Sequence, residues 1–268
     1  MSNYDPYLFD DCEVLRNNLG IRDRDILEQY EADTVTARML VLRKNGFEIN
    51  SIFDIKKIHK FIFGHVFDWA GETRVITMYK REKILSGYSV SYSEHQFIEE
   101  DLKDLDKKFQ KINWDSLSQE EKVTNVCDIV QELWQIHSFR EGNTRTTALF
   151  LYFLLKQVGL HINSEFLGEN SIYFRNSLVL ASIGHLSKKE YLYGIVKDCV
   201  SYLDVDQNKY KTIEGQNCEK YDARSHTVEK LKTIKDFRDF RRIYEAVLCH
   251  LRKLFQKIKY PLIWICLR

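Results

Sequence analysis

A chain of 268 residues with 44% hydrophobic and 29% charged side chains has material for one large domain, or for one domain with an appendage. Its 40 Lys and Arg against 39 Asp and Glu leave a formal charge of +1, so neither nucleic acid nor a membrane surface is an expected partner. Two prolines and 11 glycines are too few for the closely spaced turns of a loop-rich or all-β architecture, and the expectation is an all-α, mainly helical fold.

The N-terminus, MSNYDPYLFDDCEVL, carries acids where a secretory signal needs a basic flank and an apolar centre, and no run of 18 apolar residues occurs. Six cysteines (Cys12, Cys127, Cys199, Cys218, Cys249, Cys266) are scattered without a C-x-x-C pair, several among apolar neighbours, as reduced thiols are. The expected location is therefore a reducing cytoplasm, with export as an effector by a route that uses no signal peptide left open.

Residues 23–46 place Ile26, Leu27, Tyr30, Val35, Ala37, Met39 and Leu40 at roughly helical spacing, with Gly46 as the stop. A second helix is expected over SIFDIKKIHKFIFG, from Ser51 as N-cap to Gly64. In TRVITMYKREKI, Val75, Thr77 and Tyr79 alternate with Ile76 and Met78, which predicts a strand over residues 74–80, the one convincing β segment. SEHQFIEEDLKDLDKKFQKI puts Phe97, Leu102, Leu105 and Phe109 on one side of a third helix. In SQEEKVTNVCDIVQELWQIH, Ser118 and Glu121 have the spacing of a capping box, and this helix runs straight into IHSFREGNTRTTALF, residues 136–150. ALFLYFLLKQVGL then reads as core. No repeat, low-complexity run or linker interrupts the chain, but composition shifts near residue 205: residues 220–268 hold 13 Lys and Arg against 5 Asp and Glu. The expected organisation is a main helical domain over 1–204 and a basic helical extension over 205–268.

Why so many polar groups crowd a segment that wants burial is a question of helix ends. If one helix stops near His137 and another starts near Asn143 or Thr144, FREGNTR is a tight connection whose free backbone N–H groups form an anion cradle. Gly142 lets backbone approach a ligand, Asn143 tolerates turn geometry and offers an amide, and Arg145 reaches a phosphate oxygen. Glu141 is unwelcome beside phosphates unless a divalent cation such as Mg²⁺ sits between them. His137, the side chain that titrates near neutrality, suits a proton acceptor for an attacking hydroxyl. The set points to phosphoryl or nucleotidyl transfer; an ordinary structural helix–turn–helix junction fits the same residues equally well. His59, His65 and His161 read as satisfied structural histidines.

HSFREGNTR resembles the signature of the Fic-domain family (Fic/Doc), His-Pro-Phe-x-(Asp/Glu)-Gly-Asn-(Gly/Lys)-Arg with a second Arg after two intervening residues. IHKFIFGHVFDWAGETRVI is similar to the segment that leads into the family's active-site flap, and LGIRDRDILEQYEADTVTARM to its N-terminal helix, so the likeness covers roughly residues 5–200. The resemblance implies a compact helical domain with a short β-hairpin flap that transfers AMP from ATP to a Ser, Thr or Tyr hydroxyl of a target protein, with Mg²⁺. His137 would be the base, Glu141 would position the metal, Phe139 would anchor the loop, and Gly142, Asn143 and Thr144 would bind the nucleotide. Arg145 would steady the departing pyrophosphate. Arg74, Val75, Ile76, Thr77, Met78, Tyr79 and Lys80 would form the flap edge that docks the target, with no specific contact assigned to Tyr79 or Lys80.

Three departures stand out. Ser138 replaces the usual proline, and Thr144 the Gly or Lys, which argues against γ-phosphate transfer. Ala148 replaces the second arginine, so the choice of nucleotide and the usual autoinhibition are open, as is a catalytically weakened binding module. The family's inhibitory (Ser/Thr)-x-x-x-Glu-(Gly/Asn) helix has only a near match, Ser225 and Glu229 followed by Lys230, so a small antitoxin-like inhibitory partner, or none, is the expectation.

Overall fold

The computed structural model describes residues 5–201 and 206–218. The basic tail beyond residue 218, with the near match at Ser225–Lys230, Cys249 and Cys266, lies outside the described residues. Eight α-helices make up most of what is described: α1 (Arg24–Asn45), α2 (Asp54–Phe63), α3 (Ile98–Phe109), α4 (Gln119–Ile136), α5 (Asn143–Gln157), α6 (Ser164–Glu169), α7 (Ser171–Ala181) and α8 (Glu190–Ser201). Two small antiparallel hairpins complete it, β1 (Leu8–Phe9) with β2 (Cys12–Leu15) and β3 (Thr212–Ile213) with β4 (Gln216–Asn217). The helical class read from composition is the class observed.

Helix boundaries follow local chemistry. Asp23 caps α1 by accepting the Ile26 N–H at 3.1 Å, and Gly46 closes it at φ 80°. Ser118 and Glu121 form the reciprocal capping box of α4. Ser51, expected as the N-cap of α2, does not cap it. Asp54, the first residue of the helix, accepts the Asn50 and Ser51 N–H groups, while Ser51 donates its hydroxyl to Asp106 on α3. Phe97 is likewise not part of the buried side of α3: it ends a short 3-10 turn in front of the helix and faces solvent, while Ile98, Leu102, Leu105 and Phe109 are buried.

α4 and α5 form the centre. α5 is buried nearly all round through Ala148–Leu155, as the apolar run predicted, and packs on α4 and α2; α1 covers α2, and α3 and α8 cover α4. Among the described cysteines Cys127, Cys199 and Cys218 are buried, Cys12 is partly so, and none is bonded to another. No helix among the described residues is long and apolar enough to cross a membrane.

The strand expected over 74–80 is not a strand. The segment leaves α2, bends at Val75 and Ile76, and runs unpaired to a 3-10 turn at Lys83–Leu85, where Glu82 and Tyr88 close the loop. The reason is Arg74. Its guanidinium donates to Ile76 O and Ser93 O, occupying carbonyls from the outgoing and returning arms of the loop. The flap is therefore a loop, not a β-hairpin. Residues 206–218, expected to open the extension, pack on α6–α8: Tyr210 is buried against Phe166 and Tyr173, and Asp198 accepts its hydroxyl.

Candidate active site

The turn between α4 and α5 is pinned at both ends by left-handed backbone. His137 closes α4 at φ 54°, ψ 55°, a conformation few residues other than glycine adopt. Gly142 opens α5 at φ 79°, and a Cβ there would lie 2.2 Å from Cζ of Phe63, so this position requires glycine. Arg74 supports the His137 end: Nε donates to His137 O at 2.8 Å, and its backbone N–H donates to Ser138 O at 2.8 Å. A buried cation against the last carbonyls of α4 satisfies acceptors that the helix end leaves open. Arg74 is thus committed to the scaffold and does not lie on a docking edge.

The middle of the turn is fixed from inside. Phe139 stacks on His59 of α2 with ring centroids 3.8 Å apart. Asn143 receives the Phe139 N–H at 2.9 Å through Oδ1 and donates Nδ2 to Phe139 O at 2.7 Å. His59 accepts the Gly71 N–H through Nδ1 at 2.8 Å, which leaves Nε2 protonated and donating to Glu141 O at 3.0 Å. Burial holds this histidine neutral, pushing its pKa down to about 3. It is the satisfied structural histidine that its apolar surroundings suggested. From the N-terminal hairpin, Asp5 pairs with Arg140 at 2.7 Å and the Tyr7 hydroxyl accepts the Val75 N–H at 3.0 Å.

The imidazole of His137 is only 2% exposed. Tyr92 stacks on it at 4.0 Å and Trp134 meets it edge-on at 5.6 Å. Neither ring nitrogen has a partner among the described residues. Burial first, then the charges of Lys80, Arg74 and Arg175, drive its pKa well below the ordinary value, so the ring is neutral at physiological pH and keeps one nitrogen unprotonated.

Glu141 behaves oppositely. Burial pushes its carboxyl up, but Lys80, Arg145, the Gly142 N–H and Arg140 outweigh it and hold the group ionised, at about 2. Its Oε1 accepts the Gly142 N–H at 2.9 Å and lies 3.6 Å from Nη2 of Arg145, which also pairs with Glu31 and lies over the Phe63 ring at 4.8 Å. Thr144 accepts the Trp134 indole N–H at 3.0 Å. α5 starts without a side-chain cap, and the backbone N–H groups of Asn143 and Thr144 have no acceptor among the described residues. An anion is the partner this helix end suits.

The fold therefore brings His137, Glu141, Gly142, Asn143, Thr144 and Arg145 into one turn. Asn143 differs from expectation: its amide staples the loop, so it offers the cradle a backbone N–H only. Among the charges acting on His137 and on Glu141, that of Lys80 is the strongest for each. Val75 and Tyr79 are 60% and 68% exposed. Ala148 is buried on α5 and brings no cation. No group of three or more metal-ligating side chains occurs among the described residues. A divalent ion here would have to share the hard Glu141 carboxylate with ligand oxygens, a donor set that fits Mg²⁺.

Sequence reasoning missed Glu31, the bracing by Asp5 and Tyr7, and the Arg175–Glu82–Tyr92 chain, in which Glu82 accepts from Arg175 at 2.8 Å and from Tyr92 at 3.3 Å. Only Glu31 left a trace, as an acid between Leu27 and Val35 on the packing side of α1.

Residues 51–155 match the model of the Fic/DOC family. The protein adenylyltransferase VbhT of Bartonella schoenbuchensis is 28% identical over 221 residues, 76% of this chain and 45% of that protein. A second protein adenylyltransferase, from Bartonella henselae, is 29% identical over 70% of this chain and 36% of its own length. The chain thus spans less than half of either relative. The type IV secretion system effector BepA superposes with a TM-score of 0.63 at 22% identity, covering 79% of this chain and 76% of its own. BepC of Bartonella tribocorum, solved with AMPPNP, gives 0.61 at 22% identity over 72% of this chain and 95% of its own. The matched family model, the shared helical fold and the turn built on HSFREGNTR lead to one conclusion: this chain carries a Fic/DOC-family domain over residues 51–155.

Proposed function

We propose that the chain is a protein adenylyltransferase that moves AMP from ATP to a Ser, Thr or Tyr hydroxyl of a target protein. The observation that carries this is the neutral, unpartnered imidazole of His137 beside the uncapped, anion-seeking start of α5. In the reaction, the hydroxyl gives its proton to His137, its oxygen attacks the α-phosphorus, and the bond from that phosphorus to the β-phosphate oxygen breaks. Pyrophosphate leaves with the electron pair, its charge met by Arg145 and by the N–H groups of Asn143 and Thr144. Glu141 is the residue that would hold Mg²⁺ together with the phosphates, and the metal, when bound, neutralises their charge.

The target would dock along residues 75–80. The backbone N–H groups of Ile76 to Tyr79 have no partner among the described residues, and an extended segment can supply one. The relatives named as adenylyltransferases support this reading, as do the AMPPNP and ADP in solved neighbours. Buried Ala148 favours a second reading, in which another nucleotide is used or transfer is weak. Incubating the chain with Mg²⁺, cell lysate and each of ATP, GTP, CTP and UTP labelled at the α-phosphate decides. Protein labelling strongest with ATP is expected; labelling only by another nucleotide sinks the ATP assignment, and none at all sinks the transferase.

A further inference from the structure

We propose that Glu31, on α1 and outside the sequence motif, is a positioning residue for the triphosphate: it holds the Arg145 guanidinium in the orientation that meets phosphate oxygens. The inference rests on the transferase reading above.

Glu31 lies in the middle of α1 on its buried stripe, four residues after Leu27 and four before Val35, and is 8% exposed. A carboxylate at such a place is unfavourable unless a cation meets it. The cation is Arg145, 114 residues away and in the first turn of α5, whose own side chain is 14% exposed. The guanidinium is gripped on three sides, by Glu31, by the face of Phe63 at 4.8 Å and by Glu141 at 3.6 Å. These anchors differ in what they have to do next. Glu141 is the group that a divalent cation would engage, and its hold on Arg145 weakens when it does. Glu31 is fixed in a helix packed on α2 and cannot withdraw without opening that packing. It is the anchor that persists.

Orientation matters here because a guanidinium is planar and its five donors point along fixed directions. One carboxylate leaves it able to donate to phosphate oxygens as well, so Glu31 and the nucleotide share Arg145. Charge alone argues in the other direction: a second carboxylate near the phosphates repels them. The two effects have opposite signs on nucleotide affinity, and this makes them separable.

The test is a double-mutant cycle read by calorimetric titration with Mg²⁺ and AMPPNP, using the full chain, Glu31→Ala, Glu31→Gln, Arg145→Ala and Glu31→Ala with Arg145→Ala, with thermal melts to show that each is folded. Expected is about tenfold weaker binding for Glu31→Ala and a smaller loss for Glu31→Gln, which keeps an acceptor oxygen at the same reach. In the Arg145→Ala background the further change to Glu31→Ala should weaken nothing. Equal weakening in both backgrounds means a merely structural role and overturns the inference. Tighter binding in both Glu31 variants overturns it too, since Glu31 would then compete for Arg145. If the parent binds AMPPNP but labels no lysate protein from ATP, the transferase reading falls while the cycle still decides the part played by Glu31. A parent that binds no AMPPNP overturns both.

Discussion

Two histidines, His59 and His137, are sealed in apolar surroundings beside the same turn, and both are neutral because burial penalises the imidazolium. Their tasks differ. His59 satisfies both of its nitrogens on backbone groups, whereas His137 satisfies neither among the described residues. A histidine whose folded pKa is depressed leaves the unfolded chain binding the extra proton, so stability falls as pH drops below the unfolded value near 6.5. For His59, at about 3, the loss is about 2 kcal/mol at pH 5, and His137 adds in the same direction. Glu31, pushed up by burial and by Glu141, opposes the trend, while the depressed carboxyl of Glu141 acts only below this window. Urea titrations at pH 6.5 and pH 5 should therefore show a clear loss of stability. Equal stability at the two values would mean that the rings are not held neutral.

At the scale of elements, what the sequence made legible was local chemistry. Gly46 at the end of α1, the Ser118–Glu121 box of α4 and the glycine-led start of α5 each depend on residues within a few positions, and each is found where it was expected. The failures were long-range. Val75 to Tyr79 alternate like a strand, but Arg74 takes the carbonyls of Ile76 and Ser93, and periodicity cannot foresee that. Ser51 is not the α2 cap because the helix begins at Asp54, and the Ser51 oxygen accepts the Phe53 N–H ahead of it while its hydroxyl is held by Asp106 of α3. Glu31 finds its partner 114 residues away. Within the turn, Gly142 is the position where local and tertiary demands coincide. Gly142→Ala has to place a Cβ at positive φ and against the Phe63 ring, and should destabilise the fold by about 1–3 kcal/mol. Gly142→Ala combined with Phe63→Leu should recover part of that loss in denaturant titrations. No recovery would assign the whole cost to the backbone conformation.

Across the whole molecule, the site is assembled from distant stretches of chain on a common core. α5 supplies the cradle, α1 and α2 support it, and the N-terminal hairpin reaches back through Asp5 and Tyr7 to the turn and the flap loop. Residues 206–218, with the short β3–β4 hairpin, pack on α6–α8. Tyr210 is the anchor, with its ring edge-on to Phe166 and Tyr173 and its hydroxyl donated to Asp198. Removing that ring should cost about 3–5 kcal/mol by the general cost of truncating a buried aromatic. Thermal melts of Tyr210→Ala should fall by several degrees, while AMPPNP affinity measured well below the transition stays that of the parent. Loss of affinity with the fold intact would tie this segment to the site.

The most direct measurement of the central claim, that His137 and the α5 cradle transfer AMP, follows the fate of the label. The parent chain and His137→Ala are incubated with lysate, Mg²⁺ and ATP labelled at either the α- or the γ-phosphate. With the parent, protein should take up the α-label and not the γ-label. His137→Ala should lower that uptake about 10²-fold or more while binding AMPPNP nearly as well as the parent, because the imidazole acts on the hydroxyl and not on the triphosphate. Transfer of the γ-label, or undiminished α-labelling by His137→Ala, would contradict the account.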